Sequence, residues 1–133
     1  MHASRAALDD RRWHFQHGPI DLVIGADGEA SCVRAALEDA WTRFATVLPE
    51  LVAELPMLRR AVGTECALRG PVARRMWQAC APYHPDFLTP MAAVAGSVAE
   101  TILECFVRPG VRRAWVNNGG DIALHLVAGE RLV

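Results

Sequence analysis

The residues best suited to chemistry lie in one short segment, Asn117–Asp121, which reads Asn-Asn-Gly-Gly-Asp. Its two glycines can adopt positive φ and leave the backbone uncovered, so the loop can approach a phosphate or a flat ring closely. Asn117 and Asn118 add hydrogen-bond donors and acceptors, and Asp121 adds a carboxylate able to bind a divalent cation. The same residues are also typical of a plain hairpin turn, because Asn-Gly is a common turn signal. Both interpretations stay open.

A helix rich in small residues forms the second candidate wall of a site. Thr89 is suited to the N-cap and Pro90 to the first helical position, which predicts a helix over 90–107. Ala95 and Gly96 would let a ligand or another backbone approach this helix closely, although close packing explains the pattern as well. Its apolar stripe consists of Met91, Val94, Val98, Ile102 and Cys105.

Two weaker groups of side chains could bind metals. Glu100 and Glu104 lie one helical turn apart and could hold a divalent cation with a third ligand, but such a pair is more typical of a solvated face. Cys80, His84 and Asp86 are residue types that bind zinc, but their spacing matches no familiar zinc site.

Hydrophobic periodicity predicts the elements that position these residues. Residues 12–25 alternate as two consecutive strands, and residues 31–48 show a helical pattern that Pro49 should break. A short helix is expected from Pro71 to Cys80. The C-terminal part is expected to be strands, the last one beginning at 131–133.

These elements together predict an α+β fold in which an antiparallel sheet from residues 12–25 and 113–133 packs against the helices near 31–48 and 90–107. The predicted core comprises Leu22, Ile24, Leu37, Trp41, Phe44, Val94, Val98, Ile102, Val116, Ile122 and Leu124.

Composition narrows the function classes. The chain has 133 residues, 52% of them hydrophobic, and a formal net charge of −1. This length and composition favour a single folded domain that comprises residues 1–133. All 14 basic residues are arginine, and they form no basic block, so we expect no nucleic-acid or membrane partner. Because the chain contains no lysine, it cannot form a Schiff base through a lysine side chain. The four cysteines form no C-x-x-C pair, and neither a signal peptide nor a membrane-length apolar run is seen, which predicts a cytoplasmic protein.

Three blocks of the sequence resemble an uncharacterised ApbE-like family, relatives of the FAD:protein FMN transferase. They are Gly18–Ile24, Thr89–Glu100 and Asn117–Ile122, and their order and spacing cover most of the chain. The resemblance implies an α+β fold in which the helix after the Thr-Pro turn and the Gly-Gly-Asp loop border a site for FAD. The implied cofactor-binding residues are Thr89, Ala95, Gly96, Asn118, Gly119, Gly120 and Asp121. Asp121 is also the implied ligand if Mg²⁺ accompanies the flavin.

The sequence departs from the transferases in two respects. The transferases carry a Lys-Gly pair where this chain has Ala95-Gly96, and they place metal ligands and a catalytic segment in a C-terminal half. The chain is therefore expected to be an incomplete copy of the family fold, whose catalytic residues are unknown.

Two functions remain open. One is a protein that binds FAD or a related flavin nucleotide, related to flavin transfer. The other is a non-catalytic binding or assembly module that forms homo-oligomers or pairs with a missing C-terminal half. Apolar sheet left uncovered by half a family fold would favour a homo-oligomer.

Overall fold

The structure is a computed structural model that describes residues 2–86 and 88–130. Its sheet has five antiparallel strands in sequence order. They are β1 (Ser4–Ala7), β2 (Arg12–His17), β3 (Ile20–Gly28), β4 (Val111–Asn118) and β5 (Asp121–Leu126). The helices are α1 (Ala30–Ala53), α2 (Leu55–Leu58), α3 (Pro71–Cys80) and α4 (Val94–Leu103), with short 3-10 turns at Ala81–Tyr83, Pro90–Ala93 and Glu104–Phe106. The predicted α+β fold, an antiparallel sheet packed against helices, is confirmed.

The helices pack on one face of this sheet and make the core there. Phe15, Leu22 and Ile24 on the sheet are fully buried, as are Phe44 on α1 and Ile102 on α4. Val98 and Val116 of the predicted core are fully buried as well, while Leu37, Trp41 and Val94 are partly buried against it. Most of the predicted core is therefore confirmed.

The prediction that Ile122 and Leu124 belong to the core is wrong. Their side chains are 57% and 50% exposed, whereas Ala123 between them is buried. Asp121 pairs with Asn118 and Ala123 with Val116, so β5 turns its odd-numbered residues toward the helices. Because strand side chains alternate between faces, the even-numbered residues must then face outward.

The open face of the sheet carries its own apolar surface. Ile122, Leu124 and Leu126 project from β5, and Trp115 on β4 pairs with Leu124. The Trp115 indole lies directly over Gly25 of β3: a Cβ placed on Gly25 would be 2.3 Å from its ring atoms. We call these residues, Trp115, Ile122, Leu124 and Leu126, the open-face patch.

The predicted helix break at Pro49 is also wrong, because α1 continues through Pro49 to Ala53. Proline removes the hydrogen bond to the carbonyl of Ala45, one turn earlier. Ala45 and Pro49 are both exposed, so water can solvate that carbonyl. Phe44, Val47 and Leu51 are buried on the opposite side, and their packing holds both halves of the helix in line.

Other predicted boundaries need smaller corrections. The helix expected over 90–107 is divided into α4 and the two 3-10 turns that flank it, and the Thr89 side chain makes no capping hydrogen bond. The helix predicted from Pro71 to Cys80 is confirmed as α3. Strand β1 was not predicted, and the strand expected at 131–133 lies outside the described residues. Within the described ranges, none of the helices has the length and apolarity needed to span a membrane.

Candidate functional site

The glycine loop, Asn117–Asp121, is the turn of the β4–β5 hairpin. Gly119 and Gly120 have φ of 60° and 102°, in the left-handed region that side chains other than glycine rarely adopt. No heavy atom lies within 4 Å of a Cβ built on either glycine, so the outer surface of the loop is open. The Gly120 amide donates a hydrogen bond to Asn117 Oδ1 over 2.8 Å. The turn is therefore stabilised internally, and this amide is not available to a ligand.

The loop lies against the small-residue helix α4, where the sequence placed the two walls of the site. Asn118 Nδ2 donates to the carbonyl of Ala95 over 3.2 Å. A Cβ built on Gly96 would be 3.9 Å from Asp121 Oδ1. The structure thus brings together Ala95, Gly96, Asn118 and Asp121 from segments more than twenty residues apart. Their contact is too close for a ligand to lie between the loop and the helix.

Thr89 is hydrogen-bonded to a different helix. Its carbonyl accepts a hydrogen bond from the Cys80 thiol, at 3.5 Å between Sγ and O, which ties it to α3. Among the described residues, no hydrogen bond joins Thr89 to the glycine loop. Six of the seven residues predicted for the cofactor, all but Thr89, therefore lie in the glycine loop or in the part of α4 that it contacts.

An apolar cavity of about 480 Å³ adjoins the glycine loop at Asn118, which is one of the residues that line it. It lies between the C-terminal half of α1, α2, the N-terminal end of α4 and the β2–β3 hairpin. Its walls are mainly aliphatic, formed among others by Ile20, Leu51, Leu58, Met91, Val94 and Val98. Sequence reasoning found only Asn118 of this lining as a site residue. The others come from three separated segments, 19–20, 48–59 and 91–98, and no motif connects them.

Two polar side chains line the otherwise apolar cavity, Asn118 and Arg59. Asn118 uses one amide proton on Ala95, so its second proton and its carbonyl oxygen can meet a ligand. Arg59 follows the buried Leu58 and is itself exposed, at the rim of the cavity. Within residues 2–86 and 88–130 its guanidinium forms no ion pair, in contrast to arginines such as Arg43, which binds Glu50 at 3.0 Å.

The weaker metal candidates have other partners. Arg75 binds both Glu100, at 3.5 Å, and Glu104, so this pair forms an exposed ion-pair network. His84 Nδ1 lies 3.3 Å from the carbonyl of Val62, and burial raises the pKa of the Cys80 thiol, which disfavours the thiolate that zinc needs. In the part of the chain that the structure describes, no three His, Cys, Asp or Glu side chains are grouped to hold a metal.

An antiparallel sheet whose Gly-Gly-Asp hairpin packs on a small-residue helix is the arrangement that the resemblance to ApbE-like proteins implies. The family model described as "AbpE bacteria" matches residues 5–133, nearly the whole chain. The chain therefore belongs to this family, which is related to ApbE.

Curated relatives support the same assignment. A UPF0280 protein of Methanosarcina acetivorans is 35% identical over 112 residues, which cover 84% of this chain and 43% of the relative. A UPF0280 protein of Methanosarcina barkeri is 32% identical over 124 residues, covering 92% of this chain and 47% of the relative. The chain thus spans less than half the length of these relatives.

Proposed function

We propose that this chain binds a flavin nucleotide such as FAD, with the flavin ring in the apolar cavity beside Asn118. The cavity is the observation that carries the proposal. Its volume of about 480 Å³ falls within the range of about 300 to 1,000 Å³ typical of small-molecule sites. Family membership supports a flavin as the occupant, because the resemblance to the flavin transferases implies an FAD site at this loop and helix.

Asn118 is suited to recognise the polar edge of the flavin ring. The pyrimidine-like edge of a flavin presents an N–H donor beside carbonyl acceptors, and a side-chain amide presents the complementary pair. The hydrogen bond to Ala95 fixes the Asn118 side chain in one orientation before the ligand arrives. A group oriented in advance loses less entropy on binding, so this contact favours affinity.

The proposal assigns binding and no reaction. The flavin transferases carry a lysine at the position of Ala95, and this chain has none anywhere. Asp121 is exposed, and among the described residues no group of three or more His, Cys, Asp or Glu side chains is placed to hold a metal. We therefore give Asp121 the role of a hydrogen-bond acceptor, so that flavin binding should be the same in Mg²⁺ and in EDTA.

Thermal unfolding with riboflavin, FMN and FAD tests the proposal, because a ligand that binds only the folded chain raises the unfolding temperature. Val94→Phe adds a ring inside the cavity and should abolish the rise. Val33→Phe is the matched control, since Val33 is also half-buried on a helix but does not line the cavity. If the folded parent shows no rise with any of the three flavins at millimolar concentration, the proposal is wrong.

The open-face patch favours assembly as a second function. Ile122 and Leu124 expose half or more of their side chains beside Trp115, and contiguous exposed apolar surface often marks a protein–protein contact. We propose that a second copy of the chain covers it. Light scattering should then show a dimer that Leu124→Lys dissociates, while Val107→Lys, at a residue 54% exposed and outside the patch, leaves it intact. A parent chain that is monomeric at 100 µM would contradict this.

A further inference from the structure

A flavin nucleotide brings an anionic phosphate to the site as well as a ring, and the structure offers two places for it. One is the glycine loop, whose sequence suggested a phosphate-binding turn. The other is the rim of the cavity at Arg59. The contacts around each place decide between them.

The glycine loop is a poor phosphate site. The Gly120 amide already donates to Asn117 Oδ1, which removes a donor that a phosphate would need. Asp121 places a carboxylate beside the same turn, 3.9 Å from the position that a Cβ on Gly96 would occupy. Like charges at short range repel, so this carboxylate disfavours an incoming phosphate. The loop is better suited to border the ring than to bind the anion.

Arg59 has the opposite properties. It lines the cavity, and among the described residues its guanidinium has no carboxylate to neutralise it. Its backbone is anchored: the Arg59 amide donates to the carbonyl of Leu55 over 3.2 Å, and the neighbouring Leu58 is fully buried. The side chain therefore starts from a fixed point at the cavity rim. A guanidinium presents paired N–H donors that match phosphate oxygens in geometry and charge.

We infer that Arg59 binds the phosphate of the ligand, so that the cavity selects phosphorylated flavins over riboflavin. This inference rests on the proposed flavin function and adds the group that discriminates within the class. Asn118 and Arg59 would then hold the two polar ends of a ligand whose ring lies between them on aliphatic walls.

Arg60 provides a matched control for this inference. It is the next residue in the chain, has the same charge and is also exposed, but it does not line the cavity. Arg59→Gln and Arg60→Gln therefore change the net charge equally and differ only in position. Long-range attraction would be weakened alike in both variants, whereas a direct contact would be lost in only one.

The experiment measures dissociation constants for riboflavin and FMN by quenching of flavin fluorescence. We expect the parent to bind FMN about tenfold or more tightly than riboflavin, because one charge-assisted hydrogen bond from Arg59 to the phosphate supplies an affinity difference of about that size. Arg59→Gln should bring the two constants together by weakening FMN alone, while Arg60→Gln keeps the preference. Equal affinities in the parent, or equal losses in both variants, would overturn the role of Arg59 and leave flavin binding standing. Absence of binding by either flavin to the folded parent would overturn the proposed function itself, and this inference with it.

Discussion

On the helix-covered face of the sheet, Leu22, Ile24 and Val116 are fully buried, whereas on the open face Ile122 and Leu124 are half exposed or more. In both sets the apolar residues alternate with other residues along the strand. Hydrophobicity alone therefore does not tell the buried set from the exposed one. The difference lies in what packs against each face. Apolar periodicity in a strand identifies a face, and the covering element decides whether that face is the core.

Strand β5 shows this most clearly. Ala123, the smallest apolar residue of the strand, faces α4, and the larger Ile122 and Leu124 face outward. Helix α4 is built from small residues at this place, and a Cβ added to Gly96 would lie 3.9 Å from Asp121 Oδ1. A helix that approaches the sheet so closely leaves room for alanine and none for leucine. The two faces of β5 therefore differ because α4 packs tightly on one of them.

The test with the largest expected effect on stability truncates an aliphatic side chain on each face of the sheet. Ile24→Ala should lower the free energy of unfolding by about 2–5 kcal/mol, because it leaves a cavity beneath the helices. At a protein concentration low enough to keep the chain monomeric, Leu124→Ala removes a half-exposed side chain and should cost less than about 1 kcal/mol. Urea denaturation followed by circular dichroism measures both. Equal losses would mean that the open face is covered in solution as fully as the helix face.

A second test probes the packing of Trp115 on the open face. Gly25→Ala places a methyl group where the indole now lies, 2.3 Å from its ring atoms, so the ring must move and the variant should lose about 1–3 kcal/mol. Gly63→Ala is the control, since nothing lies within 4 Å of its Cβ position and its φ is not in the left-handed region. Gly63→Ala should be neutral or stabilise by up to about 1 kcal/mol. Tryptophan fluorescence, to which Trp115 contributes together with Trp13, Trp41 and Trp77, should shift in the first variant only. Unchanged fluorescence together with unchanged stability for Gly25→Ala would show that the indole does not lie over Gly25.

The smallest expected effect concerns an ion pair at the edge of the covered face. The side-chain hydrogen bond from Arg5 holds the pKa of the Glu38 carboxyl below its usual value, and Arg5 also lies 5.0 Å from the centre of the Trp41 ring. A carboxyl whose pKa is depressed on folding stabilises the fold above its unfolded pKa of about 4.3, and this contribution disappears as pH falls through the lower, folded value.

Arg5→Gln should therefore raise the Glu38 pKa toward its ordinary value, as NMR titration of the carboxyl would show. Because both side chains are largely exposed, the melting temperature near pH 7 should hardly change. A Glu38 pKa that is the same with and without Arg5 would contradict the pairing.

Parts of the candidate site could be read from local sequence. Asn118, Gly119, Gly120 and Asp121 were predicted as a turn because glycine supplies the positive φ that a tight hairpin turn requires, and φ of 60° and 102° at the two glycines agrees with that. Ala95 and Gly96 were predicted to face the loop from the resemblance to ApbE-like proteins. The cavity could not be predicted from local sequence, since Arg59, Leu51 and the other lining residues meet only after α1 and α2 pack beside α4.

Local sequence patterns predicted the order of β2, β3, α1, α3, α4, β4 and β5, the hairpin at Gly119-Gly120 and the family, because these depend on periodicity, turn chemistry and motif spacing. The packing of distant elements determines which face of β5 is buried, that α1 continues through Pro49, and that an apolar cavity lies beside Asn118. These features depend on residues far apart in the chain competing for the same space, and on the side of each helix that reaches water. Local sequence patterns do not encode that competition, because its outcome depends on how α4 packs against the sheet.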